Sequence, residues 1–395
     1  MSEMRSDDDE VGDVGDIMSL MVASLSGQSV SLADVLPSCL TSVGVEGLPN
    51  ALDLPRARMC VVFVIDGLGM VNLENARGHA RFISQCASTP SVQTVFPSTT
   101  ASALASFATG NSPAGHGVLG YRVWNPSRSE VVNQLSGIDE REISGGWLNQ
   151  PSLISRQATS SSPVRVVGHS RFRDSALTQL LYGGAPYLAA DSFAQKLATL
   201  RTECARGGGG VVLVYISDLD EAAHRFGVAS VQWLTLLEDL DALIRDFARE
   251  CPRDVHALLI SDHGVVDVPP ERHLEYGMGS EMDGVRVIAG EPRCLQIYLD
   301  DATPVDEART RWSQVVSSAD LVLDRNEVES RWWKQPLAHE LEGRAPHLYV
   351  FAPDGTALYD SREPREPGRR MIGQHGGVSD AEMLIPCLTV HEARL

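Results

Sequence analysis

Three apolar runs, each followed at once by an acidic residue, constrain the fold of this chain more than any other feature. They are RMCVVFVID (58–66), VVLVYIS (211–217) before Asp218, and HALLIS (256–261) before Asp262. Such uninterrupted runs are typical of parallel strands that are covered on both faces. Between the second and third runs, VQWLTLLEDLDALIRDFARE (231–250) has the apolar spacing of a helix. The pattern predicts a doubly wound α/β fold with a mainly parallel central sheet, helices on both faces, and a ligand crevice at the carboxyl ends of the strands.

The remaining segments predict how the chain is divided. Residues 1–16 are acidic, which predicts a disordered tail. We expect residues 17–267 to form the first part of the core, 268–350 a small inserted α/β subdomain, and 351–395 a return to the core. Residues 125–185 are polar and rich in Ser, Gly and Arg, which predicts loops over the crevice together with surface helices. The insertion and the return are predicted from RCLQIYL (293–299), PVDEARTRWSQVV (304–316), HLYVFAP (347–353) and MLIPCLTV (383–390).

Composition excludes several classes of function. The net charge of −19 disfavours binding to a nucleic-acid polymer, whereas a small anionic substrate is compatible if metal ions supply positive charge. The seven cysteines are odd in number, scattered and without a CxxC pair, which argues against a disulfide framework and favours a reducing cytoplasm. The N-terminus is acidic and the apolar run after it is broken by Ser and Gly, so we expect neither a signal peptide nor a membrane span. The sequence gives no indication of the oligomeric state.

Acids and imidazoles follow the predicted strands in a combination that suits two divalent cations. In YISDLDEAAH (215–224) the spacing of Asp220 and His224 places both side chains on one face of a helical turn, with Asp218 as a competing carboxylate. Each of these residues alone also has a structural explanation, as a helix cap, an Asp-Gly turn or a loop histidine. Their joint occurrence in this order predicts a two-metal hydrolase. The candidate ligands are Asp66, Asp220, His224, Asp262, His263 and His375.

The segment TVFPSTTASALASFATGNSPAGHG (94–117) supplies a candidate nucleophile. A proline turn and a cluster of hydroxyl side chains precede ASALASFA, a run of small and apolar residues with good helix propensity. The N–H groups and the dipole at the start of a helix stabilise the oxyanion of a phosphoryl or sulfuryl group, and also the alkoxide form of an attacking hydroxyl. Ser98, Thr99 or Thr100 could instead simply cap the helix.

Together these motifs resemble the type I phosphodiesterase and nucleotide pyrophosphatase branch of the alkaline phosphatase superfamily. That branch carries a strand ending in Asp-Gly, a VFP-x-x-T turn before a helix that ends in Thr-Gly, then Asp-x-x-x-His, Ser-Asp-His-Gly and a late His-Gly. This chain has VIDG (64–67), VFPSTT (95–100) running to ATG (108–110), DEAAH (220–224), SDHG (261–264) and QHGG (374–377). The ordered match covers residues 58 to 390 and implies an alkaline phosphatase-like fold.

The resemblance implies two cation sites whose ligands come from different motifs. One cation is held by Asp66, Thr100, Asp262 and His263, and the other by Asp220, His224 and His375. It also implies that Thr100 is the nucleophile, since counting from VFP upstream and from Thr109-Gly110 downstream selects the same hydroxyl. Histidines on both cations indicate zinc, with manganese as the alternative.

The chain departs from the family pattern at two places. Ala223 stands where the family has Gly before His224, a small change that leaves the ligands in place. The asparagine that helps bind the phosphoryl oxygen in nucleotide pyrophosphatases falls near Tyr121 in GHGVLGYRVWN (115–125). The resemblance therefore implies Tyr121 or Asn125 as the residue that contacts substrate in its stead.

Three hypotheses for the function follow. The first is hydrolysis of phosphodiester or pyrophosphate bonds in small nucleotide-like substrates, through a covalent intermediate on Thr100. The second is another reaction on the same metals, such as phosphomonoester or phosphonate hydrolysis; a sulfatase is disfavoured because the chain lacks a CxPxR or SxPxR nucleophile motif. The third is a non-catalytic metal-binding protein, against which the complete set of ligands and the hydroxyl argue.

Overall fold

The computed structural model describes residues 30–88, 92–158, 160 and 163–394 of the chain. Its centre is a seven-stranded sheet in which five strands run parallel. In chain order these are β1 Met59–Ile65, β2 Val164–Gly168, β3 Tyr187–Ala189, β4 Gly210–Ile216 and β5 Val255–Ser261. Their spatial order is β5-β1-β4-β2-β3, and the antiparallel strand Cys387–His391 and the short strand Ala87–Ser88 extend the sheet beyond β5. The tail predicted at residues 1–16 lies outside the described residues.

The register of three neighbouring strands aligns their carboxyl ends. Ile65 of β1 pairs with Ile216 of β4 on one side and with Ser261 of β5 on the other. Every residue of β1 and of β5 is buried, as the uninterrupted apolar runs predict. Asp66 and Asp262 therefore leave the sheet at the same level, next to the point where the chain leaves β4.

Helices cover both faces of the sheet, because alternate residues of a strand point in opposite directions. On one face lie α1 Val35–Ser42, α2 Thr100–Thr109 and α3 Ala176–Tyr182; on the other lie α4 Phe193–Ala205, α5 Asp218–Phe226 and α6 Val231–Glu250. Val62 and Val64 of β1 belong to the core under the first three helices, and Val61 and Phe63 to the core under the other three. This arrangement confirms the predicted doubly wound α/β fold.

A second, antiparallel sheet of four strands stands apart from the central one. It consists of β6 Val285–Glu291, β7 Cys294–Leu299, β8 Val322–Asp324 and β9 Leu348–Phe351, in the spatial order β6-β7-β9-β8. Helix α7 Val305–Val315 packs on this sheet through the buried Trp312. A ladder between His273–Tyr276 and Ala357–Asp360 crosses the boundary predicted at residue 350, and the division of the chain into domains stays a prediction.

Short elements connect these layers. The shorter α-helices of the described residues are Met70–Asn75, Pro113–His116, Glu140–Ser144, Leu153–Gln157, Arg325–Val328 and Asp380–Met383. Small ladders join Val30–Ser31 and Leu384–Ile385 to Val92–Gln93, Arg122–Asn125 to Glu130–Asn133, and Val266–Asp267 to Gly373–Gln374. Within the described part of the chain, no helix combines the length and the apolar character that crossing a membrane requires.

Two segments differ from their predictions. Residues 125–185 contain β2, a strand of the central sheet, in addition to the loops and helices that their composition predicts. The run VRVVG (164–168) is short and contains Arg165, whose guanidinium reaches Glu203 at 3.0 Å, so its apolar pattern is weaker than that of β1. The predicted last strand is divided at Pro386, because proline has no N–H to donate to a ladder.

A buried ion pair joins the second sheet to the segment that returns to the central sheet. Arg293, between β6 and β7, donates to the carboxylate of Glu382 from Nε at 3.1 Å and from Nη2 at 2.9 Å. Both side chains are almost fully excluded from solvent, at 2% and 0% exposure. Glu382 also accepts the N–H of Gly377 at 2.9 Å and the hydroxyl of Ser379 at 2.6 Å. The pair therefore anchors the loop that carries His375.

We expect Glu382→Ala to lower the free energy of unfolding by about 3–5 kcal/mol, because it leaves the guanidinium of Arg293 buried without its partner. The measurement is urea unfolding followed by circular dichroism. The matched control is Glu250→Ala, which breaks a similar two-bond pair with Arg201 at the surface, where both side chains are about half exposed. Solvent screens that pair, so its loss has a far smaller effect. Equal effects of the two substitutions would contradict the role assigned to Glu382.

Candidate active site

The carboxyl edge of the central sheet brings the predicted ligands together from separate parts of the chain. Asp66 follows β1, Asp262 and His263 follow β5, and Asp220 and His224 lie in α5, which begins two residues after β4. The start of α2 and the loop after Gly373–Gln374 complete the site. Ligands that are dispersed along the chain meet here because parallel strands share one carboxyl edge.

The first group of residues surrounds the imidazole of His263. Its Nε2 lies 3.4 Å from Oδ1 of Asp66, 3.6 Å from Oδ2 of Asp262 and 3.1 Å from Oγ1 of Thr100. Oδ1 of Asp262 accepts the N–H groups of Gly67 and His263 at 3.2 and 2.9 Å, which leaves Oδ2 free to point at the site. The four residues that the resemblance assigns to one cation are therefore neighbours.

The second group consists of Asp220, His224 and His375. Oδ2 of Asp220 lies 3.1 Å from Nε2 of His224, one helical turn later. The other ring nitrogens are held by backbone carbonyl groups, Nδ1 of His224 by Gly373 at 2.8 Å and Nδ1 of His375 by Ser98 at 3.0 Å. Such contacts fix the ring orientation and leave Nε2 for a metal ion.

The geometry of these groups suits metal ions. Ligand atoms of Asp220, His224 and His375 lie within 4.8 Å of one another, and so do those of Asp66, Asp220 and His263. Asp220 is thus close to both sets. The rings of His263 and His375 stack with their centroids 3.8 Å apart, so the two groups adjoin.

Buried carboxylate oxygens without partners provide a test of whether cations fit. Oδ1 of Asp66, Oδ1 of Asp220 and Oδ2 of Asp262 are buried and accept no hydrogen bond. Burial, followed by repulsion from Asp262 and Asp220, raises the pKa of Asp66, and burial raises that of Asp262 to about 6. Burial also opposes ionisation of Asp220, but the attraction and hydrogen bond to His224, together with the attraction to His375 and His263, outweigh it and the pKa of Asp220 falls. Unpaired oxygens in such a cluster are costly unless cations bind there, so the residues fit a metal site.

Two of the three histidines, His263 and His375, fit the same interpretation in the metal-free protein. Burial lowers the pKa of His263 to about 4 and that of His375 to about 3, so both rings are neutral at physiological pH. Burial also lowers the pKa of His224, but the charge of Asp220 and their hydrogen bond outweigh it and the pKa rises. Neutral imidazole is the form that binds a metal ion.

The three candidate hydroxyls at the start of α2 have different environments. Ser98 is fully buried; its Oγ donates to the carbonyl of Gly377 at 2.7 Å and accepts the N–H of Gly376 at 3.1 Å. Thr99 is the N-cap residue, with extended backbone and a buried side chain. Thr100 opens the helix, is partly exposed to the cavity and faces His263. The structure thus presents Thr100, among these three, to both the site and the solvent.

Two glycines of the motifs are required by their surroundings. Gly67 has φ +73°, and a Cβ there would lie 2.9 Å from the Cβ of Asp220. Gly376 has φ +112°, and a Cβ there would lie 2.4 Å from the side chain of Glu291. Glycine is therefore needed in the Asp-Gly and His-Gly pairs for two reasons: the backbone turns tightly there, and it passes close to an acidic side chain.

A cavity of about 1240 Å³ opens over this edge of the sheet. Tyr121 lines it, together with Thr100, Asp220 and His375. Asn125 does not line it: its side chain is buried, its Nδ2 donates to Glu142, and its Oδ1 accepts the hydroxyl of Ser127 at 2.7 Å. The structure therefore brings Tyr121 to the site but not Asn125, and the position of Asn125 does not support contact with substrate.

Some residues of the site were not predicted from the sequence. The hydroxyl of Tyr215 donates to Oδ2 of Asp66, and burial raises the pKa of Tyr215 well above its ordinary value. Tyr215 lies within the continuous apolar run of β4, so the sequence pattern there is that of a core residue. Glu291, buried at the end of β6, also faces the cavity. No signal in the sequence singles out Glu291, because the second sheet reaches the site only through the tertiary fold.

Comparison with known proteins identifies the family. The profile of the family described as "Type I phosphodiesterase / nucleotide pyrophosphatase" matches residues 60–378. The chain therefore belongs to this family, within the alkaline phosphatase superfamily, and its members carry a two-metal active site. No curated protein matches the chain in sequence at a significant level.

Solved structures show the same fold. Phosphonoacetate hydrolase from Sinorhizobium meliloti 1021, in complex with phosphonoacetate, is similar with a TM-score of 0.65 and 17% identity over 86% of this chain and 91% of that one. Human ectonucleotide pyrophosphatase/phosphodiesterase 5 is similar with a TM-score of 0.59 and 18% identity over 84% and 87%. An inactive form of the murine protein in complex with AMP gives 0.60 and 17% over the same shares. The family defines a hydrolase that acts on phosphoesters, and the solved structures support the fold.

We expect Asp262→Asn to stabilise the metal-free protein at pH 8 by about 1–3 kcal/mol. Burial raises the pKa of Asp262 from 3.8 to about 6, so its ionised form destabilises the fold; this cost is absent below pH 3.8 and complete above pH 6. Asparagine keeps the acceptor for the N–H groups of Gly67 and His263 but removes the charge. The measurement is thermal unfolding in the presence of a chelator.

The matched control is Asp241→Asn. The carboxylate of Asp241 is also buried, but it accepts the N–H groups of Phe82 and Ile83 at 2.9 and 2.8 Å. This substitution weakens satisfied hydrogen bonds, so we expect no stabilisation from it. If Asp262→Asn lowered the melting temperature in chelator as Asp241→Asn does, the idea of an uncompensated carboxylate cluster would be refuted.

Proposed function

We propose that this protein is a two-metal hydrolase that cleaves phosphodiester or pyrophosphate bonds of small nucleotide-like substrates through a covalent phospho-threonine at Thr100. The observation that carries this proposal is the position of the Thr100 hydroxyl, 3.1 Å from Nε2 of His263, at the first turn of α2 and at the floor of the large cavity. The family membership supports the reaction class.

Two groups of residues would hold the cations. They are Asp66, Thr100, Asp262 and His263 for one, and Asp220, His224 and His375 for the other. Bound there, the cations would neutralise phosphoryl oxygens and lower the pKa of a hydroxyl group. The histidines on both sites favour zinc, with manganese as the alternative. A cytoplasmic location belongs to the same proposal and rests on the scattered, odd-numbered cysteines.

In the proposed reaction, two displacements at phosphorus follow one another, and Thr100 is the nucleophile of the first. Thr100 Oγ1 gives its proton to solvent water and attacks phosphorus in line, which forms the Oγ1–P bond as the bond to the leaving oxygen breaks. The leaving oxygen takes a proton from solvent. The first N–H groups of α2 have no acceptor inside the helix and point toward the phosphoryl oxygens. Water then attacks the same phosphorus from the opposite side, breaks the Oγ1–P bond and restores the hydroxyl of Thr100. Two displacements give net retention at phosphorus.

A second candidate function is phosphonate hydrolysis. It is favoured by the similarity of fold to phosphonoacetate hydrolase. The cavity of about 1240 Å³ is larger than the usual range for small-ligand pockets, which supports a substrate of nucleotide size or larger over one as small as phosphonoacetate.

We expect Thr100→Ala to lower turnover by roughly a thousandfold or more while the bound metal content stays unchanged, because the nucleophile is lost but the charged ligands remain. Turnover is measured with a nitrophenyl nucleotide ester, and metal content by atomic emission spectroscopy. The matched control is Thr109→Ala, at the other end of the same helix, where the hydroxyl donates to the carbonyl of Ala105 at 2.7 Å. Activity of the Thr100 variant close to wild type would show that the nucleophile is another group.

We also expect the wild-type protein to hydrolyse nitrophenyl nucleotide esters with a higher kcat/KM than nitrophenyl phosphate or phosphonoacetate. A chelator should abolish this activity, and zinc or manganese should restore it, since the buried acids and imidazoles hold the cations. A panel of these three substrates, assayed at alkaline pH with each metal, makes the measurement. Equal or higher activity on the monoester would reject the diester assignment, and higher activity on phosphonoacetate would favour the second candidate.

A further inference from the structure

Glu291 is a buried acid that the proposed mechanism does not use. It is the last residue of β6, all seven residues of which line the cavity. Its side chain is 6% exposed, and its Oε1 is buried without a hydrogen-bond partner. A buried carboxyl oxygen that faces a substrate cavity without a partner costs free energy, which points to a role in the site.

The neighbours of Glu291 come from the two segments that frame the nucleophile. Its side chain packs against Gly376, next to His375. Hydrogen bonds from the hydroxyl of Thr99 and from the N–H of Tyr121 act to lower the pKa of Glu291, so both groups lie beside its carboxyl group. Thr99 precedes the proposed nucleophile, and both Thr99 and Tyr121 line the same cavity as Thr100. Glu291 therefore lies beside the place where the phosphoryl group must bind.

No lysine or arginine is buried beside Glu291 among the described residues that line the cavity. Arg293 is two residues away, but its guanidinium is committed to Glu382. The arginines that line the cavity are all exposed: Arg122, Arg171, Arg286, Arg362 and Arg365. No arginine of the cavity is therefore buried against Glu291, and the positive charge that lowers its pKa is that of His224.

We propose that Glu291 is a specificity-determining residue, which selects monoanionic phosphodiesters against dianionic phosphomonoesters by placing a carboxylate beside the phosphoryl site. The inference rests on the proposed function and explains which esters that site accepts. A diester phosphoryl group carries one negative charge and a monoester carries two at alkaline pH. Repulsion from the Glu291 carboxylate, which is ionised at alkaline pH, therefore weighs more heavily on the monoester in a site of low dielectric constant.

The test is Glu291→Gln, which keeps the shape of the side chain and removes its charge. Assays are made at pH 9, above the pKa of about 8 to which burial raises Glu291. We expect kcat/KM for nitrophenyl phosphate, relative to the nitrophenyl nucleotide ester, to rise at least about tenfold. The matched control is Glu363→Gln, the same substitution at an exposed position in the mouth of the cavity, which should leave the ratio unchanged.

A second measurement does not depend on turnover. Isothermal titration of the metal-loaded protein with inorganic phosphate, a dianion, and with dimethyl phosphate, a monoanion, gives the two dissociation constants. We expect Glu291→Gln to tighten phosphate binding at least about tenfold more than it changes dimethyl phosphate binding. If this variant fails to fold, Glu291→Leu, which removes the charge with a side chain of similar size, takes its place with the same expectation.

The outcomes separate the two proposals. An active wild-type enzyme whose ester ratio and binding ratio are unchanged by the loss of the Glu291 charge would overturn the inference alone, as would an equal fall on both esters. A wild-type protein that binds metal but hydrolyses no ester in the panel would overturn the proposed function. A similar shift in the Glu363→Gln control would show that charge anywhere in the cavity acts, and would also overturn the role assigned to Glu291.

Discussion

The level register of β1, β4 and β5 is the constraint on which the rest of the structure depends. Since Ile65 pairs with both Ile216 and Ser261, the chain leaves three adjacent strands at one height and must continue with polar residues there. Buried apolar strands hold this register, because a shift by one residue would turn every core side chain to the opposite face. The carboxylates of Asp66 and Asp262 are forced together by the sheet, and not by any attraction between them.

That enforced proximity explains the construction of the site. The free oxygens of Asp66, Asp220 and Asp262 repel one another and lack hydrogen-bond partners, which destabilises the folded protein. Packing of the sheet and its helices must offset this unfavourable free energy. Backbone groups supply part of it, for example through the carbonyl contacts that fix His224 and His375. The buried pair of Arg293 and Glu382 links the second sheet to the loop that carries His375. It therefore fixes two parts of the cavity wall relative to each other.

The sequence predicted the central fold well, because continuous apolar runs of six or seven residues have few alternatives to a buried parallel strand. It predicted β1, β4, β5 and α6 almost to the residue. It missed β2, since VRVVG is short and contains Arg165, and it assigned a substrate contact to Asn125, whose side chain turns to Glu142. Such side-chain directions depend on hairpin packing, which spacing along the chain does not reveal. The domain boundaries and the ligand assignment to individual cations stay predictions.

By itself, then, the sequence determined the layers of the fold and the kinds of ligand at the strand ends, because local periodicity and composition set both. The choice among Ser98, Thr99 and Thr100 at the start of α2 rested on resemblance. In the tertiary structure Ser98 and Thr99 are buried, whereas Thr100, which lines the cavity with Thr99, is partly exposed. Only the tertiary structure decided that Tyr215 and Glu291 belong to the site. Both residues lie in segments whose local sequence patterns are those of core strands. Their contacts with the site join segments that are distant along the chain, and the sequence of one segment alone does not predict such contacts.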